Sequence, residues 1–132
     1  MAGALDLLNV NISQCEATER GGGISASPGA SLVITASAFT RCRAGIGAVA
    51  AVCLANSGGA SGGAIALHGA RATIGGSYFE DTSAGCSGGA IACSLLSTLT
   101  IANATHIEAV FAQRGDGGAL HVASGCEATC VS

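Results

Sequence analysis

Eight carboxylates, five arginines, three histidines and seven cysteines are the side chains in this 132-residue chain that could do chemistry. The acids are Asp6, Glu16, Glu19, Glu80, Asp81, Glu108, Asp116 and Glu127. Hydrolysis or elimination on an acidic polysaccharide needs carboxylates clustered on one exposed face, as acid and base or as holders of a metal. Only Glu80 and Asp81 are adjacent, and by repeat phase the acids fall mostly in turns, where they read as solvated corner residues. His68, His106 and His121 share no phase with one another, and no serine stands in a nucleophile elbow. No catalytic residue is therefore assigned.

The cysteines are Cys15, Cys42, Cys53, Cys86, Cys93, Cys126 and Cys130, with no Cys-x-x-Cys among them. Cys126 and Cys130 with His121 give three ligands at a poor zinc spacing, so neither a metal nor any other cofactor is expected. Two short signals point outside the cell. Asn11-Ile-Ser13 and Asn103-Ala-Thr105 fit the N-glycosylation acceptor pattern. Arg114-Gly115-Asp116 spells an adhesive tripeptide just before a glycine doublet. Glu19-Arg20-Gly21 occupies the same turn of an earlier repeat, so Arg-Gly is equally a preference of that corner.

The elements that would position these groups follow from composition and period. With a net charge of −3, five scattered arginines and no lysine, the chain has no electrostatic footprint for nucleic acid or an anionic membrane. Its 49% apolar content opposes disorder. The longest apolar stretch, Ala44 to Ala55, is 12 residues, short of the roughly 20 needed to span a bilayer. Met1 to Asp6 lack the basic and apolar regions of a secretory signal, and the sequence is expected to be a piece of a longer chain, with residues 1–132 forming one domain.

Glycine doublets precede small and aliphatic residues four times: Gly22-Gly23-Ile24, Gly62-Gly63-Ala64-Ile65, Gly88-Gly89-Ala90-Ile91 and Gly117-Gly118-Ala119-Leu120. The aliphatic markers are spaced by 41, 26 and 29 residues. An independent series, Leu5-x-Leu7, Leu32-x-Ile34, Ala72-x-Ile74, Leu99-x-Ile101 and Ala128-x-Cys130, has steps of 27, 40, 27 and 29. Both give a period near 27 with one enlarged step, placing an insertion or irregular coil near 43–59; two short coils with Leu54 midway would serve equally. Ile12, Phe39 and Phe79 each follow the second marker by five residues.

Short alternating apolar runs bounded by Gly, Ser, Asn and Asp read as strands. Strands recurring once per repeat bury their apolar sides by stacking parallel, about 4.8 Å apart. The expected fold is thus all-β, a right-handed parallel β-helix of about four to five coils. Leu7, Ile34, Ile74 and Ile101 would form one inward column. Ile24, Ile65, Ile91 and Leu120 would form another, continued by Ala26, Leu67, Cys93 and Val122. The doublets would supply positive φ at the corner before each strand; a phosphate-cradling loop would need a helix to follow, and none is indicated.

The Gly-Gly-Ala-Ile tetrad at 62–65 and 88–91, with the upstream strands Ser37-Ala-Phe39 and Ser77-Tyr-Phe79, resembles the repeats of chlamydial-type polymorphic outer membrane proteins, within the pectin-lyase-like β-helix group. That family's second motif is Phe-x-x-Asn. Here the third residue after Ile12, Phe39 and Phe79 is Cys15, Cys42 and Thr82, so its asparagine ladder is missing. The resemblance implies an extracellular or cell-surface protein whose partners are flanking β-helix coils of the same or parent chain, and a host or matrix protein or carbohydrate.

Cys15 and Cys42 share a phase and should be neighbours in adjacent coils, within reach of a disulfide; a stack of small buried thiols fits as well. Thr73, Thr100 and Thr129 form an outward threonine file, the kind of array that binds ice, but Asp6, Arg71 and Glu127 interrupt its surroundings. Ser25, Ala66, Ala92 and His121 make a small-residue face suited to packing against another chain. The expected function is a non-enzymatic structural or adhesion scaffold. The alternatives are a segment of a carbohydrate-active β-helix enzyme with its catalytic residues elsewhere and, third, an ice-binding protein.

Overall fold

The computed structural model describes residues 3–17, 21–45, 61–94, 96–102, 105–108, 110–112, 118–122 and 126–131. Among them the regular elements are all strands, and every pairing is parallel. The first sheet holds β1 (Ala4–Leu8), β5 (Ser31–Thr35), β9 (Arg71–Gly75), β13 (Thr98–Ala102) and β17 (Glu127–Val131). In the second are β2 (Asn11–Ser13), β6 (Ala38–Thr40), β10 (Tyr78–Glu80) and β14 (His106–Glu108). The third has two-residue strands, β3 (Glu16–Ala17), β7 (Arg43–Ala44), β11 (Ser83–Ala84) and β15 (Phe111–Ala112). The fourth contains β4 (Ile24–Ala26), β8 (Ile65–His68), β12 (Ile91–Ser94) and β16 (Leu120–Val122). The chain visits the four sheets in fixed order and pairs each strand with the one four places later; the sheets are hydrogen-bonded separately and do not close into one.

Register follows the sequence markers. Leu7, Ile34, Ile74 and Ile101 are Cα partners down the first sheet, and Ile24, Ile65, Ile91 and Leu120 down the fourth. Ile12, Phe39, Phe79 and Ile107 make a third inward file, in which the Phe39 and Phe79 rings stack at 4.9 Å. Alanines 17, 44, 84 and 112 line the short third sheet. Like residues stacked on like make one buried cluster, the arrangement that close packing favours.

Corners are built in three ways. Gly21, Gly62 and Gly88 lie at φ 65°, 70° and 66°, so the left-handed residue is the first glycine, and in the first repeat it is Gly21 rather than Gly22 or Gly23. The second glycine is required for closeness instead: a β-carbon on Gly22 would run into the carbonyl oxygens of Gly63 and Arg43, and one on Gly63 into those of Gly89 and Ser83. Other corners place non-glycine residues at positive φ, among them Asn9 and Ala36 after the first sheet and Gln14, Arg41 and Asp81 after the second. Hydroxyls brace the corner between the first and second sheets. Ser37 Oγ accepts from Val10 N at 3.1 Å, Ser77 Oγ from Ser37 N at 3.2 Å and Thr105 Oγ1 from Ser77 N at 3.4 Å, a ladder of hydroxyls running from coil to coil.

One sequence expectation changes, and another lies mostly outside the described residues. β4 through β7 pair directly with β8 through β11, so among the described residues no further strand stands between them, and the enlarged step lies between Ala44 and Ile65. Residues 46–60, which hold most of the 43–59 segment, lie outside the described residues. Ala66 and Ala92, expected on an open face, are 3% and 6% exposed. Strands β8 and β12 are covered on both sides, as their unbroken runs Ile65-Ala66-Leu67 and Ile91-Ala92-Cys93 fit.

Candidate functional site

Strands β10 and β14 turn Phe79 and Ile107 inward, so their flanking residues Tyr78, Glu80, His106 and Glu108 share the outward face. Parallel register puts Tyr78 beside His106 and Glu80 beside Glu108. The Tyr78 and His106 rings stack at 5.3 Å and 10°. Tyr78 Oη donates to Glu80 Oε2 at 2.7 Å and also contacts Glu108 Oε1. Glu108 Oε2 lies 3.0 Å from His106 Nε2.

The hydroxyl has one proton and faces two carboxylates. Hydrogen bonding to Glu108, then to Glu80, holds the Tyr78 phenol well above the ordinary tyrosine range. Reciprocally, the Tyr78 hydroxyl and then His106 hold the Glu108 carboxyl below the usual glutamate range. The cluster is thus anionic, short of donors, and partly open to solvent: Tyr78 and Glu80 are half-buried, His106 and Glu108 exposed.

Spacing hid this group in the sequence. Phe79 follows Ile74 by five residues, whereas Ile107 follows Ile101 by six. Keeping the shorter step puts His106 in the inward phase and sets Glu108 opposite Asp81, not Glu80. Aligning Ile107 with Phe79 would have brought both acids together. The acids as a set are also placed differently from expectation: Asp6, Glu16, Glu80, Glu108 and Glu127 are on strands, because outward strand positions are as solvated as turns. Asp81 alone of the described acids stands at a corner, with φ 53°.

Cys15 and Cys42, the candidate disulfide partners, lie side by side and stand here as free thiols, the stack that their shared phase fits as well. Burial first, and the neighbouring Cys15 second, push the Cys42 thiol up to about 11, so it is protonated and unreactive at neutral pH. Its Sγ reaches the carbonyls of Thr40 at 3.7 Å and Ile12 at 3.8 Å. Cys93 is pushed up to about 12, by burial and then by Cys126. Cys86 is disulfide-bonded. Below Cys42 in the same phase, Thr82 Oγ1 is buried without a hydrogen-bond partner.

The remaining residues stay apart. His68 Nδ1 pairs with Ser94 Oγ at 2.9 Å, while His121 lies beside Ala92 on β16. Thr73, Thr100 and Thr129 are in register on the outer side of the first sheet, beside the file of Arg71, Thr98 and Glu127. Asn11 is exposed on β2. Arg114, Gly115, Asp116, Gly117, Asn103 and Cys53 lie outside the described residues. Among the described residues no three His, Cys, Asp or Glu side chains are placed to hold a metal ion, and no helix is long and apolar enough to cross a membrane. No family model matches the chain, and neither curated proteins nor solved structures give a match.

Proposed function

We propose that this chain is a stretch of right-handed parallel β-helix, of the pectin-lyase-like kind, serving as a non-enzymatic structural or adhesion scaffold in a secreted or cell-surface protein. The observation that carries this reading is the unbroken cycle of four parallel sheets, each strand pairing with the one four places on. Parallel strands joined by successive crossovers wind right-handed in nearly all proteins. The Cys86 disulfide favours an oxidising compartment. Among the described residues the outermost strands each pair on one side only, and Leu8 at the end of β1 is 63% exposed, so these strands suit continuation by further coils.

The enzyme reading has one observation in its favour. Glu80 and Glu108 meet at one tyrosine hydroxyl, which places their carboxyls within about 5 Å, the spacing of a retaining glycosidase pair. Such a pair needs one carboxyl held protonated at working pH. Tyr78 and His106 move Glu108 in the opposite direction, and the site is an open sheet face.

Two assays test the scaffold. Incubation with acidic and neutral polysaccharides, with and without calcium, is expected to release no new reducing or unsaturated ends. Turnover that Glu80→Ala abolishes would overturn the reading. Light scattering is expected to show concentration-dependent association through the open ends, and a strictly monomeric chain at all concentrations would contradict it.

A further inference from the structure

The outward file of the second sheet runs His106, Tyr78, Ala38, Asn11, one residue per strand. Two stacked rings are followed by a methyl group. The His106 ring covers one face of Tyr78, and the opposite face looks along the file over Ala38. From Tyr78 to Asn11 is two strand spacings, about 10 Å, and Ala38 is the residue of the file between them. A methyl group in place of a larger side chain leaves a gap in the outward file, about one ring thick at that spacing.

Its edge is polar. Thr40 and Glu80 are Cα partners on β6 and β10, on the same outward face as Ala38 and Tyr78. Glu80 accepts through Oε2 from a tyrosine whose single proton is shared with Glu108. Its remaining lone pairs call for donors that the described residues do not supply. An occupant that fits has a flat apolar face for the Tyr78 ring and hydroxyl or ammonium donors at its rim for Glu80 and Thr40. It carries no carboxylate, because Glu80 and Glu108 would repel one.

We propose that this gap is a binding site for one pyranose ring of a neutral or amino-substituted glycan, with the ring face stacked on Tyr78 and its hydroxyls on Glu80 and Thr40. The inference stands apart from the handedness of the coil and from the scaffold role, since it rests on four adjacent strand positions alone. A few well-placed polar groups beside an aromatic surface are the features that orient a small ligand.

Tyr78 is the sole tyrosine of a chain without tryptophan, so intrinsic fluorescence reports this site alone. The full chain would be titrated with cellotriose, chitosan trimer and trigalacturonate, following tyrosine emission and binding heat. Saturable binding of cellotriose or chitosan trimer is expected, with trigalacturonate at least tenfold weaker. Ala38→Phe continues the ring stack into the gap without adding a tyrosine; it is expected to weaken binding at least tenfold while leaving the melting temperature unchanged or raised. Glu80→Gln is expected to weaken the amino sugar more than the neutral one. Absence of saturable binding by both favoured probes, equal binding of the uronate, or unaltered binding by folded Ala38→Phe would each overturn the proposal.

Discussion

The two sides of β10 differ by one residue and by everything else. Phe79, facing in, stacks on Phe39 at 4.9 Å within a file of Ile12, Phe39, Phe79 and Ile107 that is apolar throughout. Tyr78, facing out, stacks on His106 at 5.3 Å, and its file then breaks at Ala38. Inside, continuity is compulsory, because any gap forfeits packing contacts that no water can replace. Outside, water fills whatever the side chains leave, so a file can be interrupted at little cost. The same alternation that stabilises the fold leaves the outer face free to carry a site.

The largest break in that comparison comes from placing a charge on either side of one strand. Ile74→Asp buries a carboxylate in an apolar column, at a cost of several kcal/mol, and a domain stable by about 5–15 kcal/mol is expected to unfold or nearly so. Thr73→Asp, one residue away and exposed, is expected to change the denaturant midpoint little. Loss of folding in both variants would show that the alternation is wrong.

Glycines give the next contrast. A β-carbon at Gly63 meets two backbone carbonyls of neighbouring segments, whereas at Gly118 it meets nothing. Gly63→Ala is expected to cost at least about 1–3 kcal/mol in urea unfolding, and Gly118→Ala to stay within about 0.5 kcal/mol. Equal effects would contradict the close approach of these corners.

The repeat was legible because inward residues must match their neighbours: Ile34 and Ile74 sit 40 residues apart, yet like stacks on like. Corners were legible only where chemistry demands glycine. Ala36, Arg41 and Asp81 adopt positive φ without any sequence signal, held there by the ladders on either side. The two-residue strands of the third sheet are too short to show alternation, and their inward alanines resemble those of any loop. Outward residues need not match at all, so Glu80 and Glu108 carried no repeat signature, and one added residue before Ile107 moved them out of phase.

A smaller effect is expected at Thr82, whose buried hydroxyl has no partner. Thr82→Val keeps the shape and removes the orphan group, and is expected to stabilise by about 1 kcal/mol in denaturant unfolding. Destabilisation would mean that the hydroxyl is satisfied.

The smallest change in stability, and the sharpest spectroscopic one, belongs to Tyr78. Its phenolate absorbance is expected to titrate above the ordinary value of about 10, and Glu108→Gln to bring the midpoint down. The sign for stability follows from the same shifts. The raised Tyr78 contributes below the ordinary tyrosine range and is lost as pH rises through its folded value. The lowered Glu108 contributes above the ordinary glutamate range and is lost as pH falls through its folded value. An unshifted tyrosine midpoint would dissolve the cluster.

Register across the enlarged step tests the whole arrangement most directly, because a one-residue slip exchanges the two faces of every strand. A nuclear Overhauser spectrum of the isotope-labelled chain reads it in one measurement. The expected result is contact between the Phe39 and Phe79 rings, together with contact between the Tyr78 ring and the Ala38 methyl. Contact of the Tyr78 ring with Phe39, or no contact between residues 38–40 and 78–80, would contradict the account.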